Sequence, residues 1–219
     1  MKQHILSENQ SILHVFLNEI RSVEVQGDPL RFRANIERIG EIMAYELSRS
    51  LDYSPTSIQT PLAVKDSLQL DDQIVLGAIL RASLPFHQGF LRMFDRAENT
   101  FLAAYRQSDS DGSVHTVLNY AASPNLDGKT LILCDPMLAT GQSMVDCLNL
   151  LKEYGKPKHV HIVGVIGSVP GLQFVSENVP ENTTIWLADL DDHLNEKFYI
   201  VPGLGDAGDL AYGEKLGGD

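Results

Sequence analysis

Residues 131–143, LILCDPMLATGQS, narrow the folds open to this chain more than any other stretch. Leu131-Ile132-Leu133-Cys134 is an unbroken apolar run with the length and composition of a strand buried on both faces. Asp135 closes the run, and Ala139-Thr140-Gly141 make a small-residue turn. From Ser143 a helical pattern places Val145, Leu148 and Leu151 on one side. Strand, acid, small loop and helix start together make a cradle for phosphate. The first N–H groups of a helix have no intrahelical partner, and the helix dipole adds partial positive charge there. Thr140 and Ser143 add hydroxyl donors, Gly141 lets the main chain come close to an oxyanion, and Asp135 suits a metal or sugar hydroxyls. It is not a Walker A loop, because Gln142 stands where that motif has lysine, and one glycine is not a dinucleotide fingerprint. On spacing alone the stretch stays open between a phosphate site and a turn that binds nothing.

The rest of the chain repeats the alternation. Ile12, Leu13, Phe16, Leu17 and Ile20 recur at helix-like spacing within residues 1–27, read as an arm or short helix packed on the body. Asp28-Pro29 supplies an N-cap and a first-turn proline, and Phe32, Ile36, Ile39, Met43 and Leu47 form an apolar stripe. The opposite face, with Arg33, Glu37, Arg38, Glu41 and Arg49, reads as solvated or subunit-contacting. Ser54-Pro55 and Thr60-Pro61 punctuate the chain. A second buried strand, Ile74 to Leu80, ends in Arg81, where open α/β sheets keep their ligands. Pro85 to Phe94 reads as a helix, Phe101 to Tyr105 as a strand ending at Arg106, residues 107–113 as a polar loop, and His115 to Tyr120 as a strand. Gly155 and Pro157 stop the helix after the phosphate loop. His159 to Ser168 is a β-branched strand, Pro170-Gly171 opens a helix ending near Asn178, and Thr184 to Ala188 is a strand leading to Asp189, Asp191 and Asp192. These acids with His193 could form a metal site or simply a charged turn. Tyr199 to Asp209, YIVPGLGDAGD, has too many glycines for a helix or strand interior and reads as a loop of main-chain turns. Strands alternating with helices imply parallel βαβ units in an α/β fold.

The 219 residues suit one domain. A formal net charge of −12 argues against nucleic-acid and acidic-membrane partners, and requires that any positive charge facing an anionic substrate be local. Cys134 and Cys147 make neither a disulfide framework nor a zinc signature and read as small core residues. The first residues lack a basic region followed by an apolar stretch, and no apolar run reaches membrane-spanning length, so the expectation is a reduced cytoplasm.

DPMLATGQS resembles the phosphoribosyl-diphosphate loop of uracil phosphoribosyltransferases. ILRASL (Ile79 to Leu84) is similar to that family's pyrophosphate loop, LNEK (Leu194 to Lys197) matches a further family motif, and YIVPGLGDAGD is nearly the whole uracil-binding motif. The similarity runs from about Pro29 to Gly213.

The resemblance implies a parallel sheet flanked by helices, with an N-terminal arm over residues 1–27 and a single phosphoribosyltransferase domain over 28–219. It also implies a flap at about 107–125 and a uracil-binding hood at about 194–213. The implied reaction transfers the 5-phosphoribosyl group from 5-phosphoribosyl diphosphate (PRPP) to uracil, giving UMP and diphosphate. Carried over residue by residue, Ala139, Thr140, Gly141, Gln142 and Ser143 would hold the 5-phosphate, with Pro136, Met137 and Leu138 in the same loop. Asp135 would bind the ribose hydroxyls, Arg81 and Arg106 the diphosphate, and Asp206 would lie near the diphosphate ribose. Ile200, Gly205 and Ala207 would read uracil through main-chain groups, beside Asp206. Mg2+ would arrive on PRPP rather than on a metal site of the protein. The resemblance further implies a homodimer or larger homo-oligomer and, as in some relatives, activation by a purine nucleotide such as GTP. Ser83, Gln142 and Phe198 stand where the family usually has glycine, and Leu210 where it has a basic residue. These four departures keep two alternatives in view: a transferase for another base, and a non-catalytic sensor of PRPP or UMP.

Overall fold

The computed structural model describes residues 1–108 and 114–215, and within 104–119 the main chain only. The elements are β1 (Lys2–Ile5), α1 (Leu13–Arg21), α2 (Pro29–Ser48), β2 (Tyr53–Gln59), β3 (Val64–Leu70), β4 (Ile74–Leu80), α3 (Leu84–Met93), β5 (Glu98–Ser108) and β6 (Val114–Ala122). They continue with β7 (Thr130–Cys134), β8 (Met137–Leu138), α4 (Gln142–Leu151), β9 (His159–Ser168), α5 (Val169–Asn178), β10 (Thr183–Asp191), β11 (His193–Leu194), β12 (Ile200–Val201) and α6 (Ala207–Tyr212).

The main sheet runs β1-β10-β9-β7-β4-β5-β6, with β8 added against β9. All pairings are parallel except β5 with β6. Alternate side chains of the central strands point to opposite faces, which divides the core in two. Leu76, Ile132, Cys134, Val163 and Trp186 pack under α1, α2, α3 and α6. Val75, Leu131, Leu133, Ile162 and Leu187 pack under α4 and α5. Both faces are covered, which is why the strand sequences read as continuous apolar runs. Among the described residues no helix is long and apolar enough to cross a membrane.

Local chemistry accounts for the best-defined boundaries. The Asp28 carboxylate accepts from the N–H groups of Leu30 and Arg31 (2.9 and 3.2 Å), so α2 begins where Asp28-Pro29 predicts. Its charged face is not simply solvated. Arg33 donates to the Ala211 carbonyl of α6 at 2.6 Å, Glu37 pairs with Arg92 of α3, and Arg38 lies over the Phe16 ring.

Several expectations need correction. Lys2–Ile5 adds a parallel edge strand to β10, driven by main-chain pairing that its exposed side chains do not advertise. The proline-marked region forms a separate antiparallel ribbon, β2 with β3, in which Pro55 sits in a two-stranded edge that tolerates a missing N–H. Gln107 and Ser108 belong to β5, paired with β6, whereas residues 109–113 of the expected loop lie outside the described residues. β10 extends to Asp191, so Asp189 and Asp191 belong to a strand and not to a turn. Within 199–209, the loop reading holds only between β12 and α6, because Ile200–Val201 pairs with β11 and Asp206 caps a short helix starting at Ala207.

Candidate active site

Parallel strands deliver Arg81, Asp135, Ser168 and Asp191 to one edge of the sheet, the carboxyl ends of β4, β7, β9 and β10. The loop from Asp135 to Gly141 is held there by main-chain bonds. Asp135 N–H donates to the Val163 carbonyl (3.1 Å), and the Pro136 carbonyl accepts from Val165 and Ile166 (3.1 and 3.0 Å). Met137 and Leu138 then pair with β9 as β8, a short strand with no signal of its own in the sequence. Met137 N–H also donates to Asp135 Oδ1 at 3.2 Å, orienting the carboxylate.

Gly141 begins α4 from a left-handed conformation (φ +78°), with Val175, Gly171 and Phe174 packed against its Cα. Ser168, at the end of β9, donates to the Ala139 carbonyl (2.6 Å) and accepts from Gly171 N–H (3.0 Å), tying the loop to the start of α5. Thr140 Oγ1 accepts weakly from Gln142 N–H at 3.4 Å. The first N–H groups of α4 therefore have a fixed direction, the property an anion site needs. The Gln142 side chain turns away along the helix and donates to Asp146 Oδ1 at 2.8 Å, so its bulk does not fill the loop.

Arg81 follows β4 across a cis Leu80–Arg81 peptide bond. Its Nη2 donates to Asp209 (2.9 Å) and to the Gly213 carbonyl (2.7 Å), while its Nε has no hydrogen-bond partner among the described residues. A guanidinium held on one side with a donor to spare is suited to an oxyanion. Ser83 takes an ordinary helical conformation and its buried Oγ donates to the Ile79 carbonyl at 2.6 Å, so no special glycine geometry is needed there. The Arg106 main chain pairs with Thr116 at the same end of the sheet, and its side chain lies outside what is described.

The start of α6 lies against Arg81. Asp206 accepts from the N–H groups of Gly208 and Asp209 (2.7 and 3.0 Å), and a Cβ on Gly208 would lie 3.8 Å from both Arg81 Nε and Ala82 Cβ. Ile200 and Ala207 are buried and Gly205 is exposed at φ +94°. Phe198 is the only non-glycine residue with positive φ (+60°) among those described, and Leu210, within α6, packs against the core.

Sequence reasoning missed Arg21. Its guanidinium, at the end of α1, bonds Asp189 (2.7 Å), both Asp191 oxygens (2.8 and 3.0 Å) and the Gly203 carbonyl (2.9 Å). Burial alone would lower its pKa, but the hydrogen bonds to Asp191 and Asp189 outweigh that and hold it above the ordinary value. Arg21 is the cation that the acids of β10 bind in the structure. No group of three or more potential ligands for a metal occurs among the described residues. Burial, reinforced by Asp135, pushes the Cys134 thiol well up, and mainly burial takes Cys147 to about 12, so both stay protonated and inert. A cavity of about 890 Å³ lined by His4, Lys158, His159, His161 and Trp186 lies at the opposite edge, where the strands begin, and is no part of this site.

The comparisons agree with the geometry. The hypoxanthine phosphoribosyltransferase of Staphylococcus aureus, 14% identical, shares the fold with a TM-score of 0.50 over 84% of this chain and 83% of its own. The AQ2163 protein of Aquifex aeolicus superimposes with a TM-score of 0.85 at 28% identity, over 96% and 98% of the two chains. The mostly parallel sheet with its flanking helices thus has a phosphoribosyltransferase-type fold. The sequence profile described as uracil phosphoribosyltransferase matches residues 7–214. The uracil phosphoribosyltransferase of Porphyromonas gingivalis is 48% identical over 96% of this chain and 98% of its own length. This chain belongs to the uracil phosphoribosyltransferase family.

Proposed function

We propose that the protein transfers the 5-phosphoribosyl group of PRPP to N1 of uracil. The C1–O bond to diphosphate breaks, a C1–N1 bond forms, and the N1 proton passes to solvent, giving UMP and diphosphate. The observation that carries this reading is convergence: the α4 amino terminus, Asp135, Arg81 and the 200–207 segment meet at one sheet edge in a chain of this family.

In this reading the amides and hydroxyls of 139–143 hold the 5-phosphate, and Asp135 holds the ribose hydroxyls as C1 gains positive character. Arg81, with Arg106, takes charge from the departing diphosphate; such preorganised stabilisation of a leaving group is usually the largest catalytic contribution. Asp135 and Asp206 offer the hard oxygen donors that Mg2+ accepts, and the ion would neutralise diphosphate charge when bound with PRPP. A few local cations then suffice despite the net charge of −12. Main-chain groups of Ile200, Gly205 and Ala207 read uracil; cytosine places a donor where uracil places an acceptor, leaving a buried group unpaired. A homo-oligomer belongs to the same reading, supported by Ile58, Leu62, Val64 and Leu68, all exposed on the β2–β3 ribbon.

The test is UMP formation from uracil, PRPP and Mg2+, with other bases alongside. Asp135→Asn should lower kcat at least about 100-fold while the protein stays folded. Binding of PRPP or UMP with no product from any base would instead identify a sensor.

A further inference from the structure

The loop between β12 and α6, Pro202-Gly203-Leu204-Gly205, has a difficulty built in. Reading a base by main-chain groups requires those groups to stay fixed. Gly203 and Gly205 both hold positive φ (+58° and +94°), and glycine loses more freedom on ordering than any other residue. Something outside the loop must hold it.

Both polar main-chain groups of Gly203 are held by one partly buried ion pair. The Gly203 carbonyl accepts from Arg21 Nη1 at 2.9 Å, and its N–H donates to Asp191 Oδ2 at 3.0 Å. Arg21 grips the same Asp191 through both terminal nitrogens and reaches Asp189 with Nη2. The pair is well shielded, with Asp191 side-chain exposure of 7% and Arg21 of 18%. The rigid guanidinium fork reaches three acceptor groups at once, whereas an ammonium is a single point of charge on a flexible stem. All four of these Arg21 hydrogen bonds go to the protein. Through these bonds Arg21 acts on the loop.

We propose that Arg21, through Asp191, is a positioning residue for base recognition, locking Gly203 so that the main chain from Ile200 to Ala207 presents one fixed donor–acceptor pattern. This rests on the reading that the segment binds uracil. The phosphate loop hangs instead on Ser168 and β9, so loss of the Arg21 clamp blurs base reading and leaves PRPP binding in place.

The experiment is steady-state kinetics of the full chain with each substrate varied. Arg21→Lys and Arg21→Gln should raise KM for uracil about tenfold or more, by loss of charge-assisted bonds, and narrow the preference for uracil over cytosine. KM for PRPP should stay within about twofold, since the Asp206 cap of α6 and the Ser168 anchor of the 139–143 loop hold without Arg21. Asp189→Asn, which leaves the Asp191 and Gly203 bonds in place, should raise uracil KM about two- to threefold, and decides the matter if the Arg21 variants do not fold. Gly205→Val distorts the loop directly. If it raises uracil KM while the folded Arg21 variants leave uracil KM unchanged, or move both KM values in parallel, the positioning role is overturned and the loop reading stands. If Gly205→Val also leaves uracil KM unchanged, the loop does not read the base. If the wild type forms no UMP, the proposed reaction itself fails.

Discussion

Gly141→Ala is the most informative single change, because the phosphate loop and the packing of α4 on α5 meet at that Cα. The glycine sits at φ +78°, and a left-handed L-residue costs about 1–2 kcal/mol. The new methyl would lie 2.5 Å from Val175 Cγ2, 2.9 Å from the Gly171 carbonyl oxygen and 3.3 Å from Phe174 Cδ1. Overpacking of that kind costs about 1–3 kcal/mol. The unfolded chain loses some freedom with alanine, which returns about 0.4–1 kcal/mol. The expected net destabilisation is therefore about 1–4.6 kcal/mol, read as a lower urea midpoint at constant slope. Val175→Ala removes the nearest clash but not the backbone penalty. A double-mutant cycle should consequently show coupling of about 1–2 kcal/mol between the two sites. The same displacement turns the first amides of α4, so KM for PRPP should rise with little change for uracil. A loss below about 1 kcal/mol, or a cycle with no coupling, would refute the account of why glycine stands here.

Two further outcomes follow from particular side chains. Burial holds His161 at about 3, with Nδ1 accepting from Trp186 Nε1 at 3.1 Å, so the unfolded chain takes the proton first and stability is lost as pH falls from about 6.5 towards 3. His161→Asn, which can still accept from Trp186, should remove about 2 kcal/mol of the stability difference between pH 7 and pH 5 in urea titrations, with His87 and His159, also lowered mainly by burial, leaving a residual slope. Phe198→Gly relieves a left-handed backbone under a half-exposed ring, and should leave stability level or raise it by up to about 1 kcal/mol. A melting-temperature drop equivalent to more than about 1 kcal/mol would mean that the ring contributes packing which the geometry does not indicate.

Much of the fold was legible because burial writes itself into sequence. Ile74–Leu80 and His159–Ser168 are strands to the residue, and Asp28-Pro29 starts α2, since apolar runs and caps are local signals. The placement of Arg81 and Asp135 at the carboxyl ends of β4 and β7 was legible because a charge that ends a buried strand has few places to go. What stayed hidden is held by distant partners or by main chain alone. β8 exists because β9 lies beside it, and β1 because β10 offers an open edge. The β2–β3 ribbon exposes most of its side chains, so it lacks the one-sided burial that announces a strand. Glycines masked α6, whose start depends on the Asp206 cap. Arg21 and Asp191 are 170 residues apart, and nothing near either one points to the other.

The same division explains how the chain carries Ser83 and Gln142 in place of loop glycines. In the proposed reading, the groups of 139–143 and 200–207 that would face a ligand are mostly main-chain N–H and C=O, and their directions are set from outside. Ser168 anchors the phosphate loop, Asp206 the start of α6, and Arg21 with Asp191 the hood. A side chain added within such a segment is tolerated if it can point outward, as Gln142 does towards Asp146, or inward to an acceptor, as Ser83 does towards Ile79. Sensitivity belongs instead to the anchors and to positions such as Gly141, where neither direction is open. Substitutions inside the motif are therefore a poor guide to loss of function, and the residues that decide whether the motif keeps its shape lie outside it.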